Sequence, residues 1–301
     1  MDDKEKLFAV LTDLLAQFDK VCKENNLTYS IFAGTLLGAV RHKGIIPWDD
    51  DVDVVMPRKD YERLLQLPQT AFRFPYFLQS PLTDKGFQKG FVRLRNSNTT
   101  EISIIDAAFD CNHGAFIDVF PMDAVPDDET VFKKQIRELS RQVKLLHFAG
   151  RYNGGVGSLG LDRKKKMVYF CLLPFYKTGI LTTEKIFNKY NKIASRYESD
   201  NTRRVGTICF SFEWERFIYE RKDYESGYMD LPFENIVVKA PKNYDAILTK
   251  SYKDYMTPVK APSCHGETIF DMDTPYKEYI KVNKDKLVSR WLSKRGGTVN
   301  G

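Results

Sequence analysis

The stretch "IIPWDDDVDVVM" (residues 45–56) holds four aspartates within five positions, between a proline–tryptophan pair and a run of valines. Because side chains alternate faces along a β-strand, Asp51 and Asp53 would share one face, while Val52 and Val54 would anchor the other in the core. Two adjacent carboxylates need a cation to stay ionised, and oxygen ligands favour a hard ion. We therefore predict that Asp51 and Asp53 bind Mg²⁺ or Mn²⁺. The competing interpretation is an exposed acidic turn.

A hard-metal site usually recruits a further acid from elsewhere in the chain. Asp118 in "GAFIDVFPMD" is the best candidate, since it sits mid-strand, where an unpaired carboxylate is costly to bury. Asp123, beyond Pro121, is predicted to be a loop or capping residue. Asp50 would point to the face opposite the ligands, so we expect it to make a structural hydrogen bond.

Basic side chains and a glycine turn suggest that the partner carries phosphate. Arg93 and Arg95 share one face of the predicted strand "FVRLR" and suit bidentate phosphate capture, with surface ion pairing as an equal alternative. Gly34 and Thr35 end a predicted strand and open a helix, where free backbone N–H groups can cradle a phosphate. Together with Asp-x-Asp some fifteen residues later, this indicates metal-assisted phosphate chemistry.

The elements that must position these residues follow from the hydrophobic pattern. We predict an amphipathic helix over 3–25, a strand "LTYSIFAG" ending at Gly34, and a short helix or turn to Gly44 with Thr35 in a capping position. A strand "DVDVVM", a helix "PRKDYERLLQL" and strands at "YFLQS", "FVRLRNSNTT" and "AFIDVF" follow. Residues 128–200 read as helical, around a glycine-rich loop, before strands return. This alternation predicts an α+β (or α/β) fold.

The segment "FAGTLLGAVRHKGIIPWDDDVDVVMPRKDYERLL" strongly resembles the signature of the LicD family. "FVRLRNSNTT", "FIDVFPMD" and "LPFENIVV…YDAILTKSYKDYM" resemble its later blocks in order, so the resemblance runs from residue 8 to about 258. It implies a nucleotidyltransferase-type mixed sheet flanked by helices, with Gly34-Thr35, Asp51/Asp53 and Asp118 in its motif positions. Thr35 stands at the second position of this motif, where the broad superfamily has glycine or serine. In this respect the chain is similar to LicD members. We expect a catalytic core over 1–127, a helical region over 128–227 and a C-terminal α/β segment over 228–301.

The resemblance implies transfer of a phospho-alcohol, typically phosphocholine from CDP-choline, onto a sugar hydroxyl of a bacterial surface glycan such as teichoic acid, lipopolysaccharide or capsule, releasing CMP. The expected partners are a CDP-activated alcohol and a glycan acceptor assembled on a lipid carrier. Fukutin-related protein, which uses CDP-ribitol, is a distant relative by the same motif. Transfer from CDP-ribitol or CDP-glycerol, nucleotidyl transfer from an NTP, and glycan or nucleotide binding without catalysis remain alternatives.

Roles for individual residues follow from that mechanism. Asp118 would also help to remove the proton from the acceptor hydroxyl. Asp49 would lie in the turn beside the ligands and support them or contact the donor. The remaining donor and phosphate contacts are expected from Gly34, Thr35, Arg41, His42, Lys43, Arg93 and Arg95.

Three further patterns carry weaker signals. "GVGSLG" matches a dinucleotide-binding fingerprint, but a helical pattern precedes it, which favours a loop. Cys111, His113, Cys264 and His265 could supply four zinc ligands, but neither pair has a standard zinc spacing, so buried or incidental residues are the favoured interpretation. The basic run 163–166 before "MVYFCLLPFY" could dock on an anionic membrane; a solvated charge run before a core helix is the favoured interpretation.

Composition limits the classes of protein that fit. The net charge is +6 and the basic residues are dispersed, which argues against nucleic-acid binding. Five scattered cysteines show no disulfide framework. The acidic N-terminus lacks a signal core and no apolar run approaches a membrane span, so we expect a cytoplasmic protein. Contact with the inner face of the plasma membrane is compatible with this expectation.

Overall fold

Helix α1 (Asp3–Glu24) begins and ends close to its predicted limits. The computed structural model describes residues 2–209, 214–260 and 266–295. At the start of α1 the Asp2 carboxylate accepts a hydrogen bond from the Glu5 N–H at 2.7 Å, and the Glu5 carboxylate accepts one from the Asp2 N–H at 2.9 Å. This reciprocal cap satisfies donors that the first helical turn leaves unpaired. The apolar face predicted from the sequence is the buried one, with Leu7, Leu11, Leu14, Leu15 and Phe18 in the core.

The helices that follow are α2 (Ala33–His42), α3 (Arg58–Gln66), α4 (Glu129–Asn153), α5 (Arg163–Lys177), α6 (Thr183–Ala194), α7 (Arg221–Glu225), α8 (Tyr244–Tyr252) and α9 (Tyr276–Arg295). The strands are β1 (Ser30–Ile31), β2 (Asp53–Pro57), β3 (Tyr76–Gln79), β4 (Val92–Asn96), β5 (Thr100–Ser103), β6 (Ala115–Val125), β7 (Arg204–Gly206), β8 (Ile218–Glu220), β9 (Tyr228–Phe233), β10 (Ile236–Pro241) and β11 (Thr268–Asp271).

The main sheet is mixed and is organised around β6. Its order is β1-β2-β6-β4-β3, in which β2 runs parallel to β6 and the other neighbours are antiparallel. The last residues of β6 pair with β7, and β7 pairs with β8. Every residue of β6 is buried. Two smaller antiparallel pairs, β9–β10 and β5–β11, complete the strands of the described residues. The predicted α+β class is confirmed.

Helices α4, α5 and α6 form the predicted helical region, which lies between strands of the main sheet in the sequence. The region begins at Asp128, whose carboxylate caps α4 by accepting from the N–H groups of Thr130 and Val131. Strands return with β7, before the predicted limit at residue 227. Gly155, Gly157 and Gly160 have positive φ in the loop that joins α4 to α5. No strand precedes them directly, so the fingerprint-like "GVGSLG" is a loop, as predicted.

The structure revises the prediction for Asp123 and shows where one of the four candidate zinc ligands lies. Asp123 was predicted in a loop or cap, but it lies inside β6 and is only 1% exposed. It can be buried there because Arg58 donates to its Oδ1 at 2.5 Å. Among the four candidate zinc ligands, His113 is buried. Its Nε2 donates a hydrogen bond to the carbonyl of Phe109, so this nitrogen carries a proton and does not offer a lone pair to a metal. Cys264 and His265 lie outside the described residues.

None of the helices in the described part of the chain combines a bilayer-spanning length with a sufficiently apolar sequence.

We expect Asp123→Ala to lower the free energy of unfolding by about 3–5 kcal/mol, because it leaves the Arg58 guanidinium buried without its counter-charge. The double variant Arg58→Met/Asp123→Leu should recover much of this loss, since it removes both charges and fills the space. Urea unfolding measures both changes. Asp230→Ala is the control, since Asp230 pairs with Lys239 on the surface, and it should cost about 1 kcal/mol or less. Equal losses from both single variants would contradict the assignment.

Candidate active site

The start of α2 lies against the acidic segment. The chain turns from β1 into α2 at Ala33, whose φ of 45° is unusual for a residue with a side chain. Gly34 follows, and a Cβ added to it would lie 2.9 Å from Oδ2 of Asp49. Glycine therefore lets a carboxylate approach the first turn of the helix, an end that favours negative charge. The first turn that was predicted to cradle a phosphate here lies against Asp49.

Thr35 has a different role from the predicted cap. The N-cap residue of α2 is Phe32, and Thr35 lies in the first turn. Its buried hydroxyl oxygen accepts a hydrogen bond from the backbone N–H of Asp53 at 2.8 Å. This bond fixes the first residue of β2 against the start of α2, so Thr35 positions the acidic segment from within the protein.

Asp49, Asp50 and Asp51 form a tight cluster. Each offers a carboxylate oxygen, and these oxygens lie within 4.8 Å of one another, the one such group of three acidic, histidine or cysteine side chains in the described ranges. The strand begins only at Asp53, and residues 49–52 have no regular secondary structure, so the face alternation predicted for Asp50 and Asp51 does not apply to them. Asp50, expected to point away, belongs to the cluster for this reason. Its backbone N–H donates to Oδ1 of Asp49 at 3.2 Å.

The surroundings of Asp49 change the acidity of its carboxyl group. Burial, together with the charge of Asp51 and a hydrogen bond to it, raises the pKa of Asp49 to about 7. A carboxyl group with such a pKa is close to taking up a proton, which relieves repulsion from its neighbours. A divalent cation would relieve the same repulsion, and a donor set made only of carboxylate oxygens fits a hard ion.

Asp53, Asp118 and Arg93 lie in one row across three strands. Asp53 on β2 is the register partner of Asp118 on β6, and Asp118 is the register partner of Arg93 on β4. Arg93 donates through Nε to Oδ1 of Asp118 at 2.6 Å, and Nη2 lies 3.4 Å from Oδ2. The guanidinium also packs 3.6 Å from the centre of the Phe116 ring. The structure thus brings the predicted third aspartate next to Asp53, with its charge balanced by arginine.

Arg95 does not fit its predicted role in phosphate capture. It is buried, and it donates to the side chain of Gln79 and to the carbonyl of Gly114. Burial and the charge of Arg93 lower the pKa of Arg95 to about 10. Its two hydrogen bonds hold β4 to its surroundings, so Arg95 stabilises the sheet beneath the site.

Arg41, His42 and Lys43 lie at the other end of α2, with Arg41 about 10 Å along the helix axis from Gly34. Arg41 donates through Nη1 to the carbonyl of Tyr255 at 2.7 Å. The His42 ring packs edge-on against the Trp48 ring, with centroids 5.8 Å apart. Lys43 is exposed and adopts the left-handed conformation that ends the helix. Their predicted contacts with a donor remain predictions.

The sequence did not identify Tyr252, which lies near the acids, or Arg216, which lies against the Tyr252 ring. Burial raises the pKa of the Tyr252 hydroxyl, and the charges of Asp53 and Asp49 add to that rise, so the end of α8 lies close to the acidic segment. The Arg216 guanidinium lies 4.8 Å from the centre of the Tyr252 ring. Tyr252 falls in "YDAILTKSYKDYM", which resembles a family block, whereas Arg216 lies outside every motif, so only the fold reveals it.

Residues 26–152 match the family model described as LicD/FKTN/FKRP, nucleotidyltransferase domain. The chain contains a LicD-family domain. This domain runs from just before β1 to the end of α4 and includes Asp49–Asp51, Asp53, Arg93 and Asp118.

Similarity to one full-length relative extends beyond the LicD-family domain. The chain is 25% identical over 247 residues to the lipopolysaccharide cholinephosphotransferase LicD of Haemophilus influenzae, covering 82% of this chain and 89% of the relative. An uncharacterized protein of Rickettsia prowazekii is 48% identical over 60 residues, which are 20% of this chain and 23% of that protein. Mannosyltransferase regulator 4 of Saccharomyces cerevisiae is 31% identical over 125 residues, which are 40% of this chain and 10% of that protein.

Without a bound cation, the stability of the protein should fall as the pH rises through the titration range of Asp49. The folded protein holds a proton up to about pH 7, whereas the unfolded carboxyl loses it near its ordinary pKa of 3.8. Between these values the native state binds more protons, so the free energy of unfolding decreases with pH. Urea unfolding in chelator across this range measures the slope. Asp49→Asn should flatten it, and an unchanged slope in that variant would contradict the assignment.

Thr35→Val should destabilise the protein by about 1–3 kcal/mol, because it leaves the Asp53 N–H without its acceptor in a buried setting. Thr35→Ser keeps the hydroxyl and should retain most of the stability. Thermal unfolding compares the two variants. If serine and valine cost the same, the hydrogen bond to Asp53 is not what Thr35 contributes.

Proposed function

We propose that this protein is a metal-dependent phosphotransferase that moves a phospho-alcohol, phosphocholine from CDP-choline, onto a sugar hydroxyl of a bacterial surface glycan and releases CMP. The observation that carries the proposal is the set of clustered carboxylates, Asp49, Asp50 and Asp51, held against Gly34 and followed directly by Asp53 beside Asp118. Similarity over 82% of the chain to a lipopolysaccharide cholinephosphotransferase supports the choice of substrate class.

The proposed ion is Mg²⁺, with Mn²⁺ as the substitute, and the residues present fit it. The donor atoms are all carboxylate oxygens, and the raised pKa of Asp49 reflects its burial and the neighbouring charge of Asp51. Asp51 and Asp53 are the proposed ligands, together with Asp49 or Asp50 from the cluster and Asp118 from β6. When bound, the ion would neutralise charge on the donor diphosphate, the main requirement of phosphoryl transfer.

The protein's own residues would orient the groups that react. The acceptor hydroxyl forms a bond to the phosphorus that bears the alcohol, the bond from that phosphorus to the CMP oxygen breaks, and a carboxylate takes the hydroxyl proton. Asp118 is the proposed base because its register beside Asp53 brings it to the ligands. Arg93, paired with Asp118, would keep that carboxylate in one orientation and offer positive charge beside the transferring phosphoryl group.

A second candidate is nucleotidyl transfer, favoured by the description of the matching family model as a nucleotidyltransferase domain. The same acids would then serve attack on the α-phosphorus of an NTP, and pyrophosphate would leave. The two reactions differ in their products and in the donor that is consumed.

The test is to incubate the protein with CDP-choline, CDP-ribitol, CDP-glycerol or NTPs, with Mg²⁺ and with or without acceptor glycans, and to identify products by mass spectrometry. We expect CMP and a phosphocholine-modified glycan, dependent on Mg²⁺. Pyrophosphate from an NTP would replace the proposal with the second candidate. Mg²⁺-independent binding of CDP-choline without turnover would indicate a binding protein.

Asp51→Asn and Asp53→Asn should each lower the rate of transfer by roughly 100-fold or more, because each removes charge that holds the ion. Asp50→Asn tests whether Asp50 is also a ligand. Loss of activity would support a site that includes Asp50, as the observed cluster suggests. Retained activity would support the ligand pair Asp51 and Asp53, as strand alternation predicts. Asp285→Asn on the exposed surface of α9 is the matched control and should remain active. Substantial activity in both the Asp51 and Asp53 variants would refute the metal assignment.

A further inference from the structure

The outward side of α5 is apolar and uncovered. Its inward side is fixed to α4: Tyr169 and Tyr176 are buried, the Tyr176 ring stacks on Tyr152, and the Tyr176 hydroxyl donates to the carbonyl of Leu145 at 3.2 Å. At 100° per residue, Met167, Phe170, Cys171 and Phe175 point away from that side. Met167 is 65% exposed and Phe170 56% exposed. The helix was expected to lie in the core, but only its two tyrosines are buried.

Exposed apolar side chains also flank α5 along the chain. Leu159 in the preceding loop and Ile180 in the following one are both exposed, and Val168 adds to the patch on the helix itself. We name the set Leu159, Met167, Val168, Phe170, Phe175 and Ile180 the α5 patch. Large apolar side chains that cluster on a surface mark a contact with a partner or a membrane.

Positive charge borders the α5 patch at one end. Arg163, Lys164, Lys165 and Lys166 form the first turn of α5 and are exposed. Cations at a helix N-terminus are opposed by the helix dipole, so they do not stabilise the helix. Of these four cations, Lys165 alone forms an ion pair with another described residue. Its partner is Asp162, at 3.1 Å. From Arg163 to Thr183 the chain has five basic and no acidic side chains.

We propose that α5 is an interfacial helix that docks the protein on an anionic phospholipid surface, with the α5 patch inserted among the lipids and the cations of its first turn against their headgroups. Large apolar residues on one side and a cluster of Lys and Arg are the features of helices that lie in a membrane interface. Charge complementarity favours anionic lipid as the occupant, because the segment between Asp162 and Glu184 carries five basic and no acidic side chains.

The experiment is sedimentation of the full chain with vesicles of phosphatidylcholine alone or mixed with phosphatidylglycerol. We expect binding to the mixed vesicles only, weakening as salt rises. Met167→Ser/Phe170→Ser removes the apolar part, and Lys164→Gln/Lys165→Gln/Lys166→Gln removes three charges. The charge variant should bind roughly 100-fold more weakly, at about 1 kcal/mol for each cation near the surface.

Matched controls lie on the exposed side of α9. Val282→Ser removes an exposed apolar side chain there, and Lys281→Gln/Lys284→Gln/Lys286→Gln removes three exposed positive charges. Both controls should bind like the unmodified protein, and circular dichroism should show the same fold for every variant. Failure to bind mixed vesicles, or equal loss in the α5 and α9 variants, would overturn the proposal. So would concentration-dependent self-association that Met167→Ser/Phe170→Ser abolishes in the absence of vesicle binding, because the occupant would then be a second copy.

Discussion

The structure depends on strand β6, which carries two carboxylates into the interior and needs an arginine for each. Asp118 is paired with Arg93 from β4, and Asp123 with Arg58 from the start of α3. A buried charge without a partner would cost more than the strand gains by pairing. These two ion pairs therefore fix which strand and which helix can lie beside β6. The mixed sheet, with β2 and β4 on either side of β6, satisfies both conditions.

The two ion pairs differ in their surroundings and therefore in what they can do. Arg58 and Asp123 are both almost fully buried, and Arg58 also bonds to Asn191 on α6, so this pair ties the sheet to the helical region. Arg93 and Asp118 lie beside the acidic segment in the register of Asp53. One pair stabilises the fold, and the other brings charge of both signs to the edge of the candidate site.

The acidic cluster is an arrangement that the fold maintains against electrostatic repulsion. Gly34 leaves space for Asp49, Thr35 holds the backbone of Asp53, and Val52 and Val54, which alternate with Asp53, are buried. Each of these contacts comes from a non-acidic residue, so the acids are positioned by their neighbours. Glycine, threonine and valine carry no charge, so these particular contacts position the acids without pairing with them.

The sequence by itself determined the α+β class, the helix α1 and the positions of β2, β4 and β6, because hydrophobic periodicity is local and these segments are long or strongly alternating. It also determined that Asp51, Asp53 and Asp118 are the candidate acids, and that Gly34 and Thr35 lie beside them. The tertiary structure alone decided that Asp50 joins the cluster, because β2 begins two residues later than the aspartate pattern suggests.

The tertiary structure also decided roles that depend on contacts between distant segments. Arg95 became a buried structural residue through Gln79 and Gly114, and Asp123 entered β6 because Arg58 could meet its charge. The α5 patch is exposed because only one side of that helix finds a partner in α4. Sequence patterns report which side chains are apolar or charged. Which of them are covered, and by what, depends on the packing of the whole chain.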